Sequence, residues 1–469
     1  MRRIAGLETE YGCLSQRAMD SPPVPERVRD YLFFRERIGL IDVHDRDYDE
    51  PAGNGGFLFN GGRLYLDMGH IEYCTAECLF LEDLLASDRA GEKLLQQALT
   101  NLGIAAEASF IKNNIDHYTG ATFGCHENYL LHREAPLSQG NVDALLAFLA
   151  VRGLMVGAGR VGTVMVPRGV DRGARTRAMP FQVMQRADYI QTEIYEWVQF
   201  NRALINARDE PLGDPCRFRR LHLLLGDSNM LPFSQALKVG STSLVLDLLE
   251  ADRMPHIALA DPVRTMHQIS HCPDGPWLIE LADGRRWTAV ELLEHFLAAA
   301  NRLDLEEDQD SLWTSIAWEE VLRGLREESD ALLGKVDWIT KRHLLDLFRS
   351  REGVRWDDPW MESLDLEYHN LNEKRGLAGL MPHPSIEELG LSGFGNQDPQ
   401  REAPRNTRAY ARSQLMQRVV AGKISYVIDW DYVQVGNSGY YSLEDPFVST
   451  VPPKAELPGL CEDLEFRSK

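Results

Sequence analysis

Four carboxylates in two short segments pose the first chemical question in this 469-residue chain. In "IAGLETEYG" (residues 4–12) strand alternation sends Glu8 and Glu10 to one face and Leu7, Thr9 and Tyr11 to the other. In "NGGRLYLDMGHIEYCTAEC" (residues 60–78) the same period aligns Arg63, Tyr65 and Asp67, with Leu64, Leu66 and Met68 expected to pack behind them. Glu72 and Thr75 follow a few residues later. Carboxylates held close repel one another and rise in pKa unless a cation sits between them. Oxygen-rich Glu and Asp sites suit Mg2+, which commonly bridges a nucleotide's phosphates. The plain alternative is the wet face of a one-sided antiparallel sheet.

Other segments add chemistry of the same kind. "GCHENYLL" (residues 124–131) puts His126 and Asn128 on one face and Glu127 on the other, and a lone strand histidine reads first as structural. Arg208, in "INARDEP", offers the planar donor fork of a phosphate clamp, or else pairs with Asp209 or Glu210. "RFRRLHLLLGDSNM" brings Arg217, Arg219, Arg220, His222 and Asn229 near one strand. Trp430, in "DWDYVQV", has the shape to stack on an adenine or to fill a core. Cys74 and Cys78 lack the second pair a zinc site brings and read as buried thiols. Cys125 and His126, as strand neighbours, point apart and make no thiol dyad. No GxGxxG follows a strand, and no GxxxxGK[ST], GxSxG or HExxH occurs, so any nucleotide is held by other means.

These residues need elements to position them. The composition, 44% apolar and 26% charged, is that of a globular chain large enough for more than one domain. A net charge of −21 disfavours nucleic acid or an anionic membrane as partner. Seven scattered cysteines and a start without an apolar run lead us to expect a reduced, cytoplasmic protein. Helices are expected from about residue 26, over 81–103, after residue 140 and through most of 290–350, with strands between. Residues 41–56 read as a mobile acidic loop and 166–179 as a basic, Gly-rich one. The mixture favours an α+β fold with an antiparallel or mixed sheet. A Gly- and Pro-rich stretch after residue 390 divides residues 1–393 from a small C-terminal domain, 400–469.

Nine blocks in order resemble one family: "GLETEYG", "NGGRLYLDMGHIEYCTAEC", "KNNIDHYTGATFGCHENYL", "INARDEP", "RLHLLLGDSNM", "LKVGSTSLVLDLLE", "DLEYHNL", "NTRAYAR" and "WDYV". It is the Pup ligase family, proteasome accessory factor A and the related Pup deamidase and depupylase. The resemblance implies a glutamine synthetase-like domain with a curved, mostly antiparallel sheet cradling ATP, helices behind it, and a small C-terminal α/β domain. It implies ATP and Mg2+ as cofactors. A ligase of this kind phosphorylates the C-terminal Glu side chain of a small, disordered Pup-like modifier and joins it to a lysine of target proteins, upstream of a proteasome. Glu8, Tyr65 and Glu72 match the family's magnesium positions; Arg63, Thr75 and Trp430 match its ATP contacts; Asp67 matches its catalytic aspartate. Glu10 joins the metal set on strand geometry, and Arg208 and His222 join the nucleotide set on their chemistry.

The branch within the family rests on finer features. "HIEYCTAEC", "GCHENYL" and "GDSNM" resemble ligases, whereas "GAGRVG" and "FQVMQRADYIQTE" resemble depupylases. Ile71 stands where both branches usually carry Pro, and one residue is missing between Asp67 and Glu72 relative to ligases. The ligase is favoured, with the depupylase or deamidase as its alternative and a small-molecule glutamate–amine ligase as a second.

Overall fold

β1 (Ala5–Ser15) follows the alternation read from its sequence: Leu7, Thr9 and Tyr11 are buried, and Glu8 and Glu10 take the opposite face. The structure, a computed structural model, describes residues 3–454 apart from 17–20, 47–49, 118–119, 163–179, 198–200, 306–307, 328, 394, 396–397 and 438. The expected basic loop at 166–179 and Cys461 lie outside the described residues.

After β1 come α1 (Val24–Asp30), β2 (Gly39–Ile41), β3 (Gly55–Leu58) and a hairpin of β4 (Arg63–Asp67) and β5 (His70–Cys74). Then follow α2 (Leu81–Asn101), β6 (Ala108–Ile111), β7 (Cys125–His132) and α3 (Gln139–Val156). Short β8 (Arg160–Val161) and β9 (Phe181–Gln182) precede β10 (Thr192–Tyr195), β11 (Ala203–Asn206), β12 (Phe218–Leu223), α4 (Pro232–Glu250) and α5 (Pro262–Ser270). The hairpin β13 (Leu278–Glu280) and β14 (Arg286–Thr288) leads into α6 (Ala289–Ala300), α7 (Gln309–Glu327), α8 (Asp337–Glu352) and α9 (Pro359–Tyr368). α10 (Arg408–Gly422) and the small sheet β15 (Tyr426–Ile428), β16 (Tyr432–Val435) and β17 (Gly439–Ser442) complete it.

Ten strands form the main sheet in the order β10-β11-β12-β7-β1-β5-β4-β3-β2, with β6 also paired to β1. Its pairs are antiparallel apart from β10 with β11. This is the mostly antiparallel α+β architecture expected. Helices cover one face: Leu7, Tyr129 and Leu131 of the strands pack with apolar side chains of α2, α3 and α4. A second cluster joins Tyr11, Leu64, Ile71 and Tyr73 to α1 and α2. Among the described residues α3 is the one helix long and apolar enough to cross a membrane, and most of it is buried inside the protein, as an all-round apolar core helix should be.

Two expectations fail for local reasons. Met68 does not pack behind β4; it is 88% exposed, because alternation stops where β4 turns into β5. Asp67 pairs with His70 across a two-residue connection, and Met68 and Gly69 both have positive φ, 45° and 90°, as a primed hairpin turn requires. The acidic connection between β2 and β3 is also less loose than its composition suggests. Asp42 is buried and salt-bridged to Arg46 at 2.8 Å and to Arg63 at 3.0 Å.

The C-terminal segment is fastened by charge as well as by packing. Leu415 and Met416 of α10, with Ile428 and Val433, close a core around Phe57 of β3. Glu77, just after β5, takes Arg408 Nε at 2.6 Å and Arg412 Nη2 at 2.6 Å. Burial alone would raise the Glu77 carboxyl, but the two guanidiniums hold it down at about 2. A depressed carboxyl stabilises the fold fully above its unfolded value near 4.5, and that stability is lost as pH falls towards 2. Acidification over this window is therefore expected to loosen α10 and Trp430 in the wild type, read by tryptophan fluorescence; Glu77→Gln should be loosened already at neutral pH and show less of this acid transition.

Candidate active site

Strand register gathers the polar face. Glu8 lies opposite Cys74 of β5 on one side and His126 of β7 on the other. One pleat along, Glu10 faces Glu72, and Glu72 in turn faces Tyr65 of β4. His222 of β12 faces Asn128 of β7. Two groups of ligating atoms result, Glu8 with His126 and His222, and Glu10 with Asp67 and Glu72, the atoms of each group lying within 4.8 Å of one another.

In the first group Glu8 is the hub. Asn128 Nδ2 donates to Glu8 Oε1 at 2.8 Å, His126 Nδ1 lies 3.3 Å from Oε2, and His222 Nε2 lies 3.5 Å from the same oxygen. Arg220 Nη1 stands 3.7 Å from Oε1. Burial would push Glu8 up, yet His222 and His126 hold it well below the usual carboxylate range. Burial drives His126 down to about 4, against the pull of its hydrogen bond to Glu8, so its ring is neutral at pH 7 and has a lone pair to offer.

The second group is crowded with negative charge. Burial, then Glu8 and Glu10, push Glu72 well above its ordinary value. Burial also raises Glu10, with Arg186 opposing and Asp67 adding to the rise. Gly124 makes this crowding possible, since a Cβ there would sit 2.6 Å from Glu10 Oε1 and 2.7 Å from His126 Nε2. Three converging carboxylates with Tyr65 beside them form the all-oxygen donor set a divalent cation fits, and such an ion would relieve the repulsion that raises Glu72.

A cavity of about 340 Å³ opens beside Glu8 and Tyr65, in the size range of small-ligand sites. Thr75, Glu77, Arg63, Arg208, Arg220, Arg408 and Trp430 are on its walls. Thr75 Oγ1 accepts Leu7 N–H at 3.0 Å and so is fixed against β1. Trp430 stands edge-on to Phe57, and Arg412 lies over its ring, 4.9 Å from the centroid. Cations for phosphates and a partly buried indole for a base are what an ATP pocket uses.

The residues proposed for metal, nucleotide and catalytic roles lie on this face or around this cavity. Glu8, Glu10, Tyr65, Asp67 and Glu72 share the polar face, His222 stands beside Glu8, and Glu8, Tyr65, Arg63, Thr75, Arg208 and Trp430 line the cavity. The loop pairings offered for Arg208 go elsewhere: Asp209 pairs with Arg133 and Glu210 with Arg220. Asn229 is not part of the site; it is buried against Asp337. Sequence reasoning missed His126 and Asn128, although their shared face was legible, and it missed Arg186. That guanidinium is fully buried beside Glu10, its Nε and Nη1 have no hydrogen-bond partner, and burial brings it down to about 10 against the pull of Glu10. Cys74 and Cys78 are buried free thiols, as expected.

The chain as a whole resembles known proteins. The family model described as Pup-ligase protein matches residues 3–434. A Pup–protein ligase of Acidimicrobium ferrooxidans is 33% identical over 462 residues, covering 96% of both chains. One of Kocuria rhizophila is 34% identical, covering 97% of this chain and 98% of its own. A crystal structure of the complex between prokaryotic ubiquitin-like protein Pup and its ligase PafA matches with a TM-score of 0.77 at 29% identity, over 96% of this chain and 90% of that one. The Pup ligase PafA in complex with ADP matches at 0.72 and 30% identity, over 92% of each chain. The chain belongs to the Pup-ligase protein family.

Proposed function

We propose that this protein is an ATP-dependent Pup–protein ligase, which activates the C-terminal Glu side chain of a Pup-like modifier and joins it to a lysine of a target protein. The observation that carries the reading is the placement of Asp67 among Glu10 and Glu72, beside a cavity walled by guanidiniums and Trp430. Glu8, Tyr65, Glu72 and Glu10 would hold Mg2+, which when bound neutralises phosphate charge. His222 would act through Glu8, fixing its ionised form. Arg63 and Arg208 would clamp the nucleotide's phosphates, Thr75 would bond them, and Trp430 would stack on the base. Arg186 would set a fixed positive charge beside the activated carboxylate, where phosphoryl transfer gains most from positioning and neutralisation.

In the second half-reaction Asp67 takes a proton from the incoming lysine ammonium. The freed amine forms the C–N bond as the C–O bond to phosphate breaks, and phosphate leaves. Of the small C-terminal domain read over 400–469, Arg408, Trp430 and Pro446 would wall the pocket, a role supported by the Glu77 clamp. The free cysteines suit a reducing cytoplasm, where tagged targets would pass to a proteasome.

The test is incubation with ATP, Mg2+, Pup ending in Glu and a lysine-bearing acceptor, with adducts read by mass spectrometry. An ATP-dependent isopeptide adduct is expected. Cleavage of preformed adducts without formation would assign the depupylase direction instead, and turnover of free glutamate with a small amine would assign a metabolite ligase.

A further inference from the structure

Arg63 is overcommitted. Its Nη2 faces Asp42 Oδ2 at 3.0 Å and Glu50 Oε2 at 2.5 Å, while its buried Nε has no hydrogen-bond partner among the described residues. Arg46 engages Asp42 at 2.8 Å and Asp429 at 2.9 Å. Three carboxylates therefore share two guanidiniums, and of these five groups Glu50 and Arg63 stand on the wall of the cavity read as the seat of a polyanion.

The three acids are not equivalent. Asp42 is buried, with side-chain exposure of 5%, and serves both arginines, so removing it strands two buried cations. Asp429 pairs with Arg46. Glu50 is 24% exposed, lines the cavity itself, and pairs with Arg63. Asp429 is as exposed, at 25%, but Glu50 is the partly exposed acid that stands on Arg63 and on the cavity. With Glu50 gone, two carboxylates face two guanidiniums and Arg63 has donors to spare.

We propose that Glu50 is a resident competitor for the nucleotide: its carboxylate occupies the Arg63 fork that the phosphates of ATP use, and nucleotide binding displaces it. The inference rests on the ATP reading above and gives it a sign that ordinary pocket residues lack. Removing a lining side chain commonly weakens binding; removing this one strengthens it.

ADP titrations by calorimetry, at fixed Mg2+ and low salt, test the point. Glu50→Gln, and Glu50→Ala in case the amide still accepts from Arg63, are expected to lower the Kd for ADP about threefold to tenfold. Glu294→Gln removes the same charge at a distant surface pair with Arg326 and is expected to leave the Kd unchanged. An unchanged or raised Kd in both Glu50 variants overturns the proposal, and so does an equal gain in Glu294→Gln, which would make the effect one of net charge. A wild-type protein that binds no ADP fails the ligase reading and this inference with it. A wild type that binds ADP no more weakly than the Glu50 variants fails this inference alone.

Discussion

Asp67→Asn is expected to lower the rate of lysine transfer by about 10²- to 10⁴-fold, the span a positioned general base contributes. The substitution is nearly isosteric and sits at the solvent-facing end of β4, so the strand and its turn are kept. What it removes is a proton acceptor and one of three crowded charges. Asp67 is among the causes that raise Glu72 and Glu10, so the remaining carboxylates should ionise more readily and metal-dependent ADP binding should persist. The measurement is single-turnover adduct formation alongside ADP titration. Slow transfer with retained ADP affinity supports the base assignment; transfer at the wild-type rate removes it, and loss of both would mark Asp67 as part of the nucleotide site.

The largest effect on stability is expected from Arg152→Ala. Arg152 reaches from α3 to Glu127 of β7, Nη1 to Oε2 at 2.8 Å and Nη2 to Oε1 at 2.5 Å, with both side chains out of solvent. Truncation leaves Glu127 buried and uncompensated, a loss on the order of 3–5 kcal/mol. The deficit carries its own pH signature. In the wild type burial would raise Glu127 but Arg152 holds it below the ordinary 4.5, so the pair contributes above that pH and is lost in acid. In the variant only Lys238 and the Tyr129 hydroxyl still oppose burial and the carboxyl rises, so the deficit is greatest at neutral pH and shrinks in acid as the buried group becomes neutral. Urea unfolding at pH 7 and pH 5 reads both. A deficit below about 1 kcal/mol, or one that grows in acid, contradicts this account of the pair.

The parts of the site legible in the sequence were those set by local geometry. Period-two alternation suffices to put Glu8 with Glu10 and Arg63 with Tyr65 and Asp67, because a strand's side-chain directions depend on nothing beyond the strand. The same rule misplaced Met68 the moment the strand ended. What remained hidden depends on which strands pair. His126 meets Glu8 across 118 positions and Arg412 meets Glu77 across 335, and no spacing rule spans such distances. Arg186 lies before a short turn with no period of its own, so nothing in its neighbourhood marks it as buried. The acidic connection after β2 was misjudged for a related reason: composition reports the preferences of a free segment, and Asp42 is held by an arginine 21 positions away.

β1 is bonded along both flanks, to β5 on one side and β7 on the other, with β6 pairing its C-terminal part, while β2 and β10 close the two ends of the sheet. Its amides can reach solvent only when several strands part together, so deuterium uptake there follows global unfolding, whereas the end strands open by themselves. The floor that bears Glu8 and Glu10 is thereby the slowest-exchanging part of the sheet. Ligand occupancy will register in exchange experiments at the β2–β3 connection beside Arg63, at the margin rather than at the floor.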